Sequence, residues 1–305
     1  MSHRLRPTAV LFAGLATASL ALTACGSDSL SNSTSSSSSS SSATASVDQA
    51  LVAKLPAKIK SAGKIVIGTD ATYQPNEYLD SDGKTVIGMD VELFDAVMGK
   101  FGIKTEWVPT GFDQIILGVT SSKYDVGVSS FTVNAEREQQ ATMVSYFKAG
   151  TQWVTQKGNP KKVDVDNACG LNIAVQKATV QADVDLPKRI KACTDAGKPA
   201  IKPIVDADQA KVTSAVLTGK ADAMLVDLPP AISAVATTSD KLELLGDQYD
   251  SAPYGYVLPK DQTEFGQAIV EALKSIEADG TYKSILTKWK TQGGAISDFA
   301  VNPQP

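Results

Sequence analysis

A single histidine, His3, stands in 305 residues. With so little imidazole the chain cannot assemble a Ser-His-Asp, Cys-His or HExxH site, and a zinc centre lacks its usual nitrogen ligands; neither a metal nor a cofactor is expected. Charge of either sign is close to balance, 29 Lys and Arg against 33 Asp and Glu for a net charge of −4. With no basic cluster, this argues against nucleic acid as a partner. The apolar stretch from Ala9 to Leu22 is broken by small residues and falls short of the roughly 20 residues a membrane span needs. Cysteines number three, Cys25, Cys169 and Cys193.

What is present begins with processing signals. A basic start at Arg4 and Arg6, followed by the short apolar stretch, reads as an export signal over residues 1–24. Its end, Leu22 to Gly26, resembles the lipobox of bacterial lipoproteins, which implies that Cys25 is lipidated and holds the protein at a membrane surface; the alternative is an ordinary signal peptide beside an incidental cysteine. Cleavage removes His3, Arg4 and Arg6, so the net charge of −4 becomes −6. Gly26 to Ser46, with unbroken serine from Ser35 to Ser42, has almost no apolar surface to bury and is expected to be a disordered tether of about 25 Å reach. We place residues 25–56 in this anchor and tether. In an exported chain the remaining pair, Cys169 and Cys193, is expected to form a disulfide, stabilising the fold by roughly 3.5 kcal/mol; the alternative is two buried thiols.

From Ala57 the pattern alternates strands and helices. Lys64–Gly68 and Thr105–Val108 are β-branched or aromatic runs, and Tyr124–Val128 is a third strand. Between them lie a helix with Phe94, Val97, Met98 and Phe101 at 3, 4, 7 spacing, capped by Asp90 and stopped by Gly102, and a second helix from Phe112 to Ser122. The same grammar restarts with Leu171–Val175, Ile201–Val205 and Ala221–Val226, Pro187 interrupting the first intervening helix; two amphipathic helices, Glu264–Ala278 and Thr281–Lys290, close the chain. This is an α/β fold with mostly parallel sheet. About 245 residues divide more naturally into two lobes than one core. Strands near 151–156 and 254–258 are the expected crossovers, giving a discontinuous first lobe (57–150 plus 258–305) and a second lobe over 151–257. Ligands of such sheets sit beyond the carboxyl ends of strands, where Asp70, Tyr73, Phe112, Ser130 and Arg137 all fall.

The stretch from Gly127 to Glu138 focuses these signals. A strand runs into the hydroxyls of Ser129, Ser130 and Thr132 and then into a helical turn carrying Arg137, a planar fork matched to a carboxylate; alternatively Thr132 or Asn134 merely caps the turn. Together with Gly68–Pro75, Gly88–Leu93, Ala221–Met224 and Asp279–Tyr282, this stretch resembles the polar amino-acid-binding branch of the ABC-transporter solute-binding proteins, family 3, over nearly all of Gly63 to Gly293. The resemblance implies a two-lobed, periplasmic-binding-protein fold with two hinge strands. It also implies a monomeric receptor, lipid-anchored at the extracellular face of the membrane, that hands a polar amino acid to permease subunits. By the same resemblance, Arg137 takes the ligand α-carboxylate with Thr132 and the backbone near Thr179. Asp227 and Ser130 take the α-ammonium, Tyr73 and Phe112 sandwich the side chain, and Asp70 reads its polar end.

Two departures touch the site. Asn76 replaces a common aromatic residue, which bears on the rim of the side-chain pocket, and Ala178 and Val180 flank Thr179 where small polar residues are usual. Glu77 and Trp153 could reach the cleft, whereas Ser129 and Asn134 read as structural. An exported cyclohexadienyl-dehydratase-like enzyme on the same scaffold is the competing function, with Glu77 or Asp227 as general acid; a sensory module is a third.

Overall fold

The computed structural model describes residues 47–303. The expected signal segment, Cys25 and the serine run lie outside the described residues. Order begins before Ala57: α1 (Gln49–Ala53) is capped by Asp48, whose carboxylate accepts from Ala50 N at 2.8 Å, and α2 (Ala57–Ala62) follows. Leu51, Leu55 and Ile59 are buried in the first core, so the tether expected to run to residue 56 gives way to packed structure by α1.

The first unit continues with β1 (Lys64–Thr69), a small antiparallel sheet of β2 (Thr72–Tyr73), β3 (Glu77–Leu79) and β4 (Val86–Ile87), then α3 (Met89–Phe101), β5 (Lys104–Pro109), α4 (Phe112–Thr120), β6 (Val126–Thr132) and α5 (Ala135–Gln140). All four periodic residues of α3 are buried, and Gly102, at φ +67°, ends the helix by donating to the Gly99 and Met98 carbonyls. Asp90 does not cap α3. Gly88 holds that place, and the Asp90 carboxylate turns inward to Ser130.

The strand β7 (Thr142–Gln156) leads into the second unit: β8 (Asn172–Gln176), a π-helical turn at Gln181–Asp185, α6 (Leu186–Asp195), β9 (Lys202–Asp206), α7 (Gln209–Leu217), β10 (Ala223–Asp227) and α8 (Leu228–Thr237). Pro187 sits in the first turn of α6, where its missing N–H costs nothing, and the irregularity falls just before it as the π turn. Then β11 (Leu242–Leu258) returns to the first unit, and α9 (Thr263–Ala278) and α10 (Thr281–Trp289) pack on it. A disulfide joins Cys169 to Cys193.

One eight-stranded sheet runs through both units in the order β5-β1-β6-β11-β7-β10-β8-β9. β1 is parallel to β5 and β6, and β8 is parallel to β9 and β10. Between these parallel triplets the antiparallel pair β7 and β11 forms both crossovers. The crossovers are longer than the two short runs read from sequence, because β7 is buried on both faces over most of Thr142–Gln156, polar Thr142 and Ser145 included, and so shows no alternation ahead of residue 151. Their pairing slips around Tyr249, between Leu245 and Ala252. That break in the ladder is where one parallel triplet hands over to the other.

Candidate functional site

The carboxyl ends of β1, β6, β8 and β10 converge on one cavity. Asp70 follows β1, Ser129, Ser130 and Thr132 end β6, Gln176 ends β8, and Asp227 ends β10. Tyr73, Phe112, Arg137, Thr179, Val180 and Gln181 complete the walls. All eight ligand residues read from the sequence therefore line one space. Gln176, Val180 and Gln181 were not among them, and Ser129, read as structural, lines it too.

Arg137 is placed by α5, whose Asn134 cap accepts from Arg137 N at 2.9 Å. Its guanidinium donates to the Thr132 carbonyl at 2.7 Å and, across the cleft, to the Ala178 carbonyl at 3.0 Å, and it lies over the rings of Phe112 and Phe131. Those two rings stack with centroids 4.4 Å apart. Burial lowers the Arg137 pKa to about 10, with the Asp227 charge opposing the shift, so the group stays cationic at neutral pH.

Two carboxylates line the same cavity. Asp70 accepts from Thr72 Oγ1 at 2.9 Å, from Phe112 N at 3.3 Å and from Gln176 Nε2 at 2.6 Å. Burial nevertheless outweighs these donors and raises its pKa to about 6. Asp227 stands at the N-cap position of α8, yet its side chain makes no capping bond. It accepts instead from Tyr254 at 2.6 Å, Tyr73 at 3.1 Å and Gln181 at 2.7 Å, and burial raises its pKa against these three donors. Pro229 and Pro230 follow in the first turn of α8, where fixed φ and missing N–H groups suit the position, so the helix starts without help from Asp227.

Both glutamines act as neutral donors to a carboxylate. Gln176 closes β8 as Thr69 closes β1, so its place at a strand's carboxyl end was a legible signal; Gln181 lies in the π turn and had none. Tyr73 spends its hydroxyl on Asp227 across the cleft, and Thr179 donates to the Gln176 carbonyl at 2.7 Å. Trp153 is 1% exposed in the second unit's core, under Arg189, and does not line the cavity. Neither does Glu77, which lies behind Ser129 and Ser130. Asn76 is also buried there, donating to Ser130 Oγ at 2.8 Å, so it forms no rim. Among the described residues no cluster of His, Cys, Asp or Glu has metal-binding geometry.

The description "Bacterial extracellular solute-binding proteins, family 3" matches residues 65–292. The chain is 29% identical over 253 residues to the arginine-binding protein ArgT of Corynebacterium glutamicum, covering 83% of each. It is 25% identical over 234 residues to the L-cystine-binding protein TcyJ of Escherichia coli, 76% of this chain and 84% of that protein. Among solved structures, an ancestral arginine-binding protein bound to arginine superposes with a TM-score of 0.68 at 29% identity, over 74% of this chain and 98% of that one. The arginine-, lysine-, histidine-binding protein ArtJ of Geobacillus stearothermophilus gives 0.64 at 31%, over 74% and 94%. An ancestral amino acid-binding protein described as a precursor of cyclohexadienyl dehydratase also gives 0.64, at 27%, over 76% and 97%. With the β-α order, the crossed sheet and the family match all spanning the same residues, the chain belongs to the bacterial extracellular solute-binding proteins of family 3.

Proposed function

We propose that this protein captures a basic amino acid between its two lobes and presents it to the permease of an ABC importer, acting as a monomer held outside the membrane by a lipid on Cys25. The observation that carries the ligand class is the charge count of the cavity: one guanidinium, Arg137, against two carboxylates, Asp70 and Asp227. A ligand with one carboxylate and two cationic groups completes all three pairs and leaves no buried charge alone. In this reading Arg137 takes the α-carboxylate, Asp227 the α-ammonium and Asp70 the side-chain cation, with Phe112 stacked beside its stem. Gln176 and Gln181 donate to the carboxylates that the ligand cations would engage, so binding exchanges neutral donors for charged ones. Since Arg137 and Asp227 belong to different lobes, a zwitterion favours closure by bridging them. The names of ArgT and of the Escherichia coli lysine/arginine/ornithine-binding protein, 27% identical over 232 residues, support a basic ligand.

Thermal unfolding of residues 47–305, refolded free of carried-over ligand, tests this against L-arginine, L-lysine, L-glutamine and agmatine, which lacks the carboxylate. A ligand at one hundred times its Kd adds roughly 2.7 kcal/mol of stability. A raised midpoint with arginine or lysine but not agmatine is expected. A response to glutamine alone overturns the charge assignment.

The amino acid-binding precursor of cyclohexadienyl dehydratase among the neighbours motivates a second reading, turnover of a cyclohexadienyl acid. Against it, Glu77 does not line the cavity, and the two carboxyls that do, Asp70 and Asp227, are each already engaged by three donors. Release of aromatic product from such an acid by the purified protein would establish it.

A further inference from the structure

Directly behind the cavity wall, Glu77 on β3 and Asp90 on α3 are both fully buried and adjoin each other. Neither enters a salt bridge among the described residues; the titratable groups facing them are Asp70 just after β1, Tyr73 on β2, Tyr146 on β7 and Tyr256 on β11. All are acids, so two ionised carboxylates here would meet in a low-dielectric space with no counter-charge.

Counting hydrogens locates a proton. Ser129 Oγ accepts from Asp70 N at 3.0 Å, and its one hydrogen goes to Glu77 Oε1 at 2.8 Å. Ser130 Oγ accepts from Asn76 Nδ2 at 2.8 Å and has a single hydrogen for two acceptors, Asp90 Oδ2 at 3.0 Å and Glu77 Oε2 at 3.3 Å. Asp90 Oδ2 also receives Ser130 N at 3.0 Å and Tyr146 Oη at 2.5 Å, whereas Asp90 Oδ1 is buried with no donor. A hydrogen on Glu77, whose side chain is in hydrogen-bonding contact with that of Asp90, frees Ser130 to give its own hydrogen to Asp90 and supplies the donor that the carboxylate pair otherwise lacks.

The wall these groups hold is strained. Ser130 is a non-glycine residue at φ +51°, a left-handed conformation that persists only when its surroundings over-determine it. Its N–H and Oγ are bound by Asp90, Glu77 and Asn76, and Ser129 links the same cluster to the backbone of Asp70. We propose that Glu77 and Asp90 share one proton and thereby act as a positioning pair, fixing Ser129, Ser130 and Asp70 in the geometry that meets the ligand. The affinity arm of the test rests on the amino-acid-binding reading; the proton does not.

Infrared difference spectra at pH 8, with no ligand added, are taken for the wild type against Glu77→Gln and against Asp90→Asn. A protonated carboxyl C=O stretch is expected in the wild type and lost in both variants, because the one carboxyl that remains keeps its serine donors and ionises. Its absence from the wild type, or its survival in Asp90→Asn, overturns the shared proton. Calorimetric titration with L-arginine follows. Glu77→Gln keeps the donor and the acceptor, so its Kd is expected within about threefold of wild type, while Glu77→Ala orphans both serines and Asp90 and weakens binding by roughly tenfold or more. If Glu77→Gln loses as much as Glu77→Ala, the positioning role falls. Should Glu77→Ala not fold, a Glu77→Gln protein with a wild-type unfolding midpoint and a Kd more than about tenfold weaker overturns it equally. Failure of wild-type protein to bind arginine at all counts against the ligand assignment and leaves the infrared result standing.

Discussion

Asp70 is buried at the end of the cavity assigned to the ligand side chain, and its carboxyl titrates at about 6. A ligand guanidinium or ammonium pairs with the ionised form only, so affinity for a basic amino acid follows the fraction of Asp70 that is ionised. At pH 8 that fraction is close to one; at pH 5, one unit below the pKa, it is about one in eleven. The Kd for L-arginine is therefore expected to weaken about tenfold between pH 8 and pH 5, a loss of about 1.4 kcal/mol. Calorimetry at both pH values, in buffers of different ionisation enthalpy, reads the affinity and also the release of nearly one proton per ligand bound at pH 5. Asp70→Asn removes this portion of the slope and isolates whatever Asp227 contributes. The same shift acts on folding. A carboxyl raised from 3.8 to about 6 favours the fold fully below pH 3.8 and loses that contribution as pH rises through 6, about 3 kcal/mol in all. Ligand-free Asp70→Asn should accordingly be more stable than wild type at pH 7. An arginine affinity flat from pH 5 to pH 8, with no proton released, would refute the pairing of Asp70 with a cation and point to an amide-bearing ligand.

Three other perturbations follow. In the proposed role of Arg137, Arg137→Ala would leave the ligand carboxylate unpaired and should cost about 2–5 kcal/mol of binding by calorimetry, with secondary structure by circular dichroism unchanged. Reduction of Cys169–Cys193, or replacement of both by Ala, frees a loop of about 25 residues; chemical unfolding should show a loss of roughly 3.5 kcal/mol. Gly88 adopts φ +144°, and a Cβ there would lie 2.0 Å from the Asn76 carbonyl oxygen, so Gly88→Ala should destabilise by about 3 kcal/mol or more in the same assay while displacing the segment that carries Glu77.

The elements most legible in the sequence were those whose burial is one-sided. Phe94, Val97, Met98 and Phe101 face one core across a helix, and that period can only be read one way. Strand β1 and the helices α9 and α10 were found within one residue for the same reason. The long crossovers were not, since β7 is buried along nearly its whole length and shows no alternation to mark its start at Thr142. Helix α8 follows Asp227 directly, with Pro229 and Pro230 at home in its first turn.

The sequence by itself determined the charged, hydroxyl and aromatic groups of the cavity, though not its two glutamines. Hydroxyls, an arginine and acids stand directly after strands, and in a parallel sheet every such position comes to the same edge whatever the loops do. Only the tertiary structure decided how those groups are spent. Asp227 could cap α8 or enter the cleft, and it enters because Tyr73, Tyr254 and Gln181, distant from it in the chain, together supply the donors that a buried carboxylate requires. Glu77 could line the site or lie behind it, and it lies behind because Ser129, Ser130 and Asp90 meet it there. Side-chain type is local information, whereas the hydrogen-bond partners that direct a buried polar group come from segments that only the folded chain brings together.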